Sequence, residues 1–94
     1  MSFRALTWAW DQHLPPAQKF VLLALVQCQD DETGECRAKD TCLAGLAGIT
    51  VLKVQRAICQ LKHKRLIQQI ESGGYEYEFN LGTQCARGAD DALV

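Results

Sequence analysis

Between positions 53 and 65 the chain carries Lys53, Gln55, Arg56, Lys62, Lys64 and Arg65, side chains suited to reading and holding a polyanion. An arginine guanidinium forks onto guanine, and a glutamine carboxamide pairs with adenine, so Arg56 and Gln55 are candidate readers of base edges. Lys53, Lys62, Lys64 and Arg65 are candidate phosphate contacts, whose contribution to affinity falls as salt rises. Bond-making chemistry has no comparable set. No Ser/His/Asp, Cys/His or paired-carboxylate arrangement occurs at interpretable spacing, and His13 and His63 stand alone, so an enzyme is not expected. His63, between Lys62 and Lys64, reads as a surface residue at a helix C-terminus, where its positive form is favoured.

The net charge of −1 conceals a strong polarity. Residues 36–70 hold seven basic residues against Asp40 alone, a net of +6, and no acid falls between Asp40 and Glu71. The rest of the chain carries the compensating acids. One face is therefore expected to be basic. Five cysteines, at positions 28, 36, 42, 59 and 85, include no Cys-x-x-Cys pair, and their odd number leaves one over in any disulfide scheme. Met1-Ser2-Phe3-Arg4 lacks the apolar core of a secretory signal, and the run from Phe20 to Val26 is too short to span a bilayer. Reduced thiols and a cytoplasmic location are expected. Cys36, Cys42 and His63 are the nearest approach to a zinc set, but their spacing matches no common framework, so neither a metal nor another cofactor is expected.

The basic residues need an element to align them. Val51, Val54, Ile58 and Leu61, with Ala57 beside them, recur at helical spacing and form a buried stripe, leaving Leu52, Lys53, Gln55, Arg56, Cys59, Gln60 and His63 off it. A helix over 50–64 follows, with Thr50 as its N-cap. Before it, 40–47 reads as a short helix ended by Gly48, whose left-handed backbone makes a tight helix-to-helix turn. Leu14-Pro15-Pro16 starts a largely buried helix over about 16–28. Gln29 to Glu35 is an acidic loop, and Cys36-Arg37-Ala38 a brief strand. Leu66–Ile70 and Tyr75–Leu81 flank Ser72-Gly73-Gly74 as a hairpin, with Tyr75, Tyr77, Phe79 and Leu81 on its packed face. Phe3 to Trp10 reads as an aromatic terminal arm locked on the core, with base stacking by its tryptophans as the lesser alternative. The expected core is Phe20, Leu23, Leu43, Val54, Ile58, Leu61, Ile67 and Phe79.

A short helix, a glycine turn, an amphipathic helix with a basic end and a hairpin make a winged helix-turn-helix, mainly α with a small β-hairpin. One domain is expected over residues 1–81, with 82–94 a disordered tail. Leu6-Thr7-Trp8-Ala9-Trp10-Asp11, Gln18 to Leu25, Gly34-Glu35-Cys36, Leu43-Ala44, Gly48-Ile49-Thr50, Val54-Gln55-Arg56-Ala57 and Leu61 resemble the winged helix-turn-helix domains of phage and plasmid replication proteins and related bacterial regulators. The resemblance spans about residues 5–81. It implies recognition of double-stranded DNA by the third helix, with Thr50, Gln55 and Arg56 at DNA-facing positions, and a role in replication or transcription, in a regulator or a mobile-element protein. Lys53 replaces a threonine common there.

Departures from that pattern support a rival. Val51 and Leu52 stand where arginine, lysine or serine is usual, Leu46 replaces a polar residue, and Asp40 replaces an apolar one. Glu71, Glu76 and Glu78 flank a hairpin tip without lysine or arginine. Leu46, Val51 and Leu52 are therefore the candidate face of a protein-interaction module, with a second copy or another protein as partner.

Overall fold

The computed structural model describes residues 3–30, 32–70 and 75–81. Within them the chain is mainly helical, with α1 (Phe3–Asp11), α2 (Pro16–Gln27), α3 (Asp40–Ala47) and α4 (Val51–His63). The strands β1 (Glu35–Arg37), β2 (Ile67–Gln69) and β3 (Glu76–Phe79) form an antiparallel sheet in the order β1-β3-β2. Register sets Cys36 opposite Tyr77 and Ile67 opposite Phe79. All three expected strand regions are present, and β1 and β2 both pair with β3, while the hairpin tip, with Glu71 and Ser72-Gly73-Gly74, lies outside the described residues, as does the tail 82–94.

Local chemistry explains the boundaries around α3 and α4. Gly48 ends α3 at φ 73°, and its N–H donates to the Ala44 carbonyl over 2.9 Å. A side chain there would strain the left-handed backbone. Thr50 is extended, and its Oγ1 accepts from the Lys53 N–H at 3.2 Å, satisfying one of the orphan donors of α4. Across residues 48–50 the chain turns by 102°. At the far end Arg65 takes φ 64°, and the Leu66 N–H reaches back to the Leu61 carbonyl at 3.0 Å, turning the chain into β2.

The core lies where α2 meets α1, α3 and α4. Val21, Leu22, Leu25, Val26, Leu43, Val54, Leu61 and Leu66 are fully buried, with Ile58 and Ile67 nearly so. Four residues expected in the core or on the packed hairpin face need correction. Phe20 is 50% exposed, because the buried side of α2 is centred on Leu22 and Leu25, and Phe20 and Gln27 lie opposite. Leu23 and Phe79 are only half-buried. Tyr75 is 45% exposed, at the end of the strand rather than over the core.

The aromatic arm is a helix. Ala5, Trp8 and Ala9 fall at i, i+3 and i+4 and are buried, a helical signature that the conspicuous tryptophans obscured. Trp8 packs its ring against Phe79 with centroids 5.6 Å apart. Gln12 is buried, and its Nε2 donates to the Trp8 carbonyl at 2.8 Å. No single helix among the described residues is long and apolar enough to cross a membrane.

Candidate nucleic-acid interface

The packing of α4 determines what it can offer. Val54, Ala57, Ile58 and Leu61 face the core, so the other side of the helix is open. Along the centre of that side run Leu52, Arg56, Cys59 and His63, all exposed, at spacings of four, three and four residues. Lys53 and Gln60 flank this line toward α2, where with Arg56 they border a shallow groove of about 270 Å³ with Ala17 and Gln18. Gln55 and Lys62 flank it on the other side, where with Cys59 they lie beside Asp40, Tyr75 and Tyr77. Exposed polar groups thus surround one helix on three flanks.

The basic groups differ in how they are held. The side chains of Lys53, Arg56 and Arg65 are exposed and have no ion-pair partner among the described residues. The Lys62 Nζ donates to Gln69 Oε1 at 3.3 Å and the Lys64 Nζ to Gln18 Oε1 at 2.7 Å. Both acceptors are neutral amides rather than carboxylates, and each ammonium has two further N–H donors. Arg65 sits at the turn after α4, where Asn80 Nδ2 donates to its carbonyl at 3.0 Å. With Lys62, Ile67, Gln68 and Asn80 it borders a second depression of about 290 Å³. Arg37, counted in the basic segment, is paired instead with Glu76 on β3. Thr50 is exposed, but its oxygen is occupied by the cap.

Gln55 is held from outside its own helix. Its Nε2 donates to Asp40 Oδ2 over 2.8 Å, a contact between the first turn of α3 and the second turn of α4. Asp40 also faces Tyr77, whose hydroxyl is pushed above its usual range by burial first, then by Asp40 and Tyr75. Sequence reasoning missed Asp40 and Gln18 as partners of candidate contact residues. Each lies in another element, and no periodicity within α4 points to it.

The apolar candidates separate. Leu52 is 56% exposed on the outward line of α4, and Val51 is half-buried. Leu46 is 50% exposed and borders a groove of about 290 Å³ with Phe20, Leu23, Ala24, Gln27 and Ala47, between α2 and α3. Trp10 is also exposed, with the Lys19 ammonium 5.3 Å from its ring centroid and bonded to its carbonyl. No group of three or more His, Cys, Asp or Glu side chains among the described residues is placed to hold a metal ion. The Cys36 thiol is pushed up to about 12 by burial, with Cys28 adding to the effect. Cys28 is raised by burial and by Cys42. These groups stay protonated at neutral pH, a poor state for a nucleophile or a metal ligand. Comparison with protein-family models, curated proteins and solved structures found no match.

Proposed function

We propose that this chain is a winged helix-turn-helix protein that reads duplex DNA with α4, in replication initiation or transcription regulation. The observation that carries the reading is the pairing of α3 and α4. Two helices set 102° apart across a three-residue turn leave the second with its apolar stripe buried and a basic, amide-bearing face in the open. An angle of about 90–120° across a short glycine turn is the geometry that lets a second helix enter the major groove. Arg56 and Gln55 then reach base edges. Lys53, Lys62, Lys64 and Arg65 hold phosphates on the flanks and fix the register. The acidic strand β3 takes little part, since Glu78 is exposed and repels phosphate.

A titration of fluorescent duplex fragments at several salt concentrations tests this. Four cations meeting four phosphates give a slope of log affinity against log salt of about −3.6. An absence of duplex binding at low salt rejects the proposal.

A second reading, contact with another protein or a second copy, draws support from the uncharged groove of Phe20, Leu23 and Leu46 and from exposed Leu52. Leu52→Glu separates the two. It abolishes DNA binding under the first reading, by setting a carboxylate against phosphate, and disrupts association under the second.

A further inference from the structure

Asp40 is the one acid in the basic segment, and it lies against a candidate base reader. It occupies the first residue of α3, half-buried, with Oδ2 2.8 Å from the Gln55 Nε2. The 102° turn brings these residues together from fifteen positions apart. Gln55 itself is exposed on the open side of α4.

We infer that Asp40 is a positioning residue that fixes the Gln55 amide in one orientation and thereby makes it selective for adenine. The inference rests on the DNA-binding proposal above. An ionised carboxylate accepts hydrogen bonds and donates none, so only the N–H side of the amide can face it. A flipped amide sets Oε1 against Oδ2, two acceptors in close contact. Held in the first orientation, Gln55 keeps Oε1 as an acceptor and its second N–H as a donor. That pair matches the major-groove edge of adenine, which offers the N6 amine as donor and N7 as acceptor. Guanine offers O6 and N7, both acceptors, and meets Oε1 with a like group. A glutamine free to flip adapts to either purine; one tied to Asp40 does not.

Asp40 also lies at the positive end of α3, where a carboxylate is favoured whatever its neighbours. That structural role changes stability but cannot change which base is chosen, so base preference is the deciding readout. Binding sites are selected from a randomised duplex library with the full chain, with Gln55→Ala, with Asp40→Asn and with Arg56→Ala as an internal reference. The full chain is expected to enrich adenine at one position, and Gln55→Ala to lose that preference. Asp40→Asn offers the amide an acceptor or a donor, so the adenine-to-guanine ratio at that position falls about tenfold. Selection of the same bases by Asp40→Asn and the full chain overturns the inference while leaving DNA binding intact. Failure of the full chain to bind any duplex overturns the DNA-binding proposal and this inference with it.

A second measurement needs no protein variant. Replacing the selected adenine by 7-deazaadenine removes N7, and replacing it by unsubstituted purine removes the N6 amine. Each change is expected to weaken binding by the full chain, and guanine at that position to do so too. Equal binding of adenine and guanine overturns the inference even where Asp40→Asn does not fold.

Discussion

The two longest helices bury comparable numbers of apolar side chains and leave opposite surfaces behind. α2 hides Val21, Leu22, Ala24, Leu25 and Val26 and still leaves Phe20 half-exposed, with Leu23 partly covered. α4 hides Val54, Ala57, Ile58 and Leu61 and presents Lys53, Gln55, Arg56, Gln60 and Lys62. The difference lies in their neighbours. α2 packs against α1, α3 and α4, so almost any side of it can be apolar, and its few open positions are decided by which neighbours fall short. α4 is covered along one side only, so its polar side is free to carry ligand chemistry.

The comparison breaks most sharply with truncations on the two helices. Leu61→Ala on α4 is expected to cost about 2–5 kcal/mol, because a fully buried side chain leaves a cavity. Phe20→Ala removes a larger side chain yet is expected to cost less than half as much, since half of it already meets water. Urea unfolding measures both. A larger loss for Phe20→Ala than for Leu61→Ala would show that the burial of α2 has been misplaced.

The open side of α4 is expected to respond in function rather than stability. Arg56→Ala should weaken duplex binding by about 1–3 kcal/mol and relax preference at one base pair. Its unfolding free energy should move by no more than about 0.5 kcal/mol. Lys64→Ala should weaken all sequences alike and flatten the salt slope, because phosphate carries no sequence. Thr50→Ala removes the cap of α4 and should cost about 1 kcal/mol of stability, read as a lower melting temperature.

The thiols respond to pH. Cys36 is held as a neutral thiol up to about 12, above its ordinary value of 9.0. The unfolded chain therefore loses this proton first as pH rises, and the stability Cys36 contributes is complete below pH 9 and declines between 9 and 12. At pH 8, exposed Cys42 and Cys59 should react with a thiol reagent well before Cys36. Mass spectrometry of the alkylated peptides checks the order.

Much of α3 and α4 was legible in sequence because each signal there is local. Gly48 and Thr50 mark the turn by backbone chemistry of their own, and the stripe from Val54 to Leu61 repeats at helical spacing. α2 was legible as a helix but not in its orientation. A segment apolar on most sides gives little periodicity to orient it, so spacing alone does not separate Phe20 from Leu22 or Leu25. α1 was hidden for the reverse reason: Ala5, Trp8 and Ala9 carry the helical spacing, but the exposed Phe3 and Trp10 beside them suggest an irregular arm. The candidate surface residues could be named one by one, whereas their partners could not. Lys64 meets Gln18 across forty-six positions, and Gln55 meets Asp40 only because the chain turns between them. Such contacts arise from tertiary packing, which a single sequence does not express.

The most direct test of α4 as the DNA-reading element is an NMR titration of the isotopically labelled chain with a duplex it binds. Amide and side-chain resonances of Lys53, Gln55, Arg56 and Gln60 are expected to shift most, with smaller changes at Lys62, Lys64 and Arg65 and little at Phe20, Leu23 and Leu46. Shifts centred on Phe20, Leu23 and Leu46, with α4 unmoved, would contradict it.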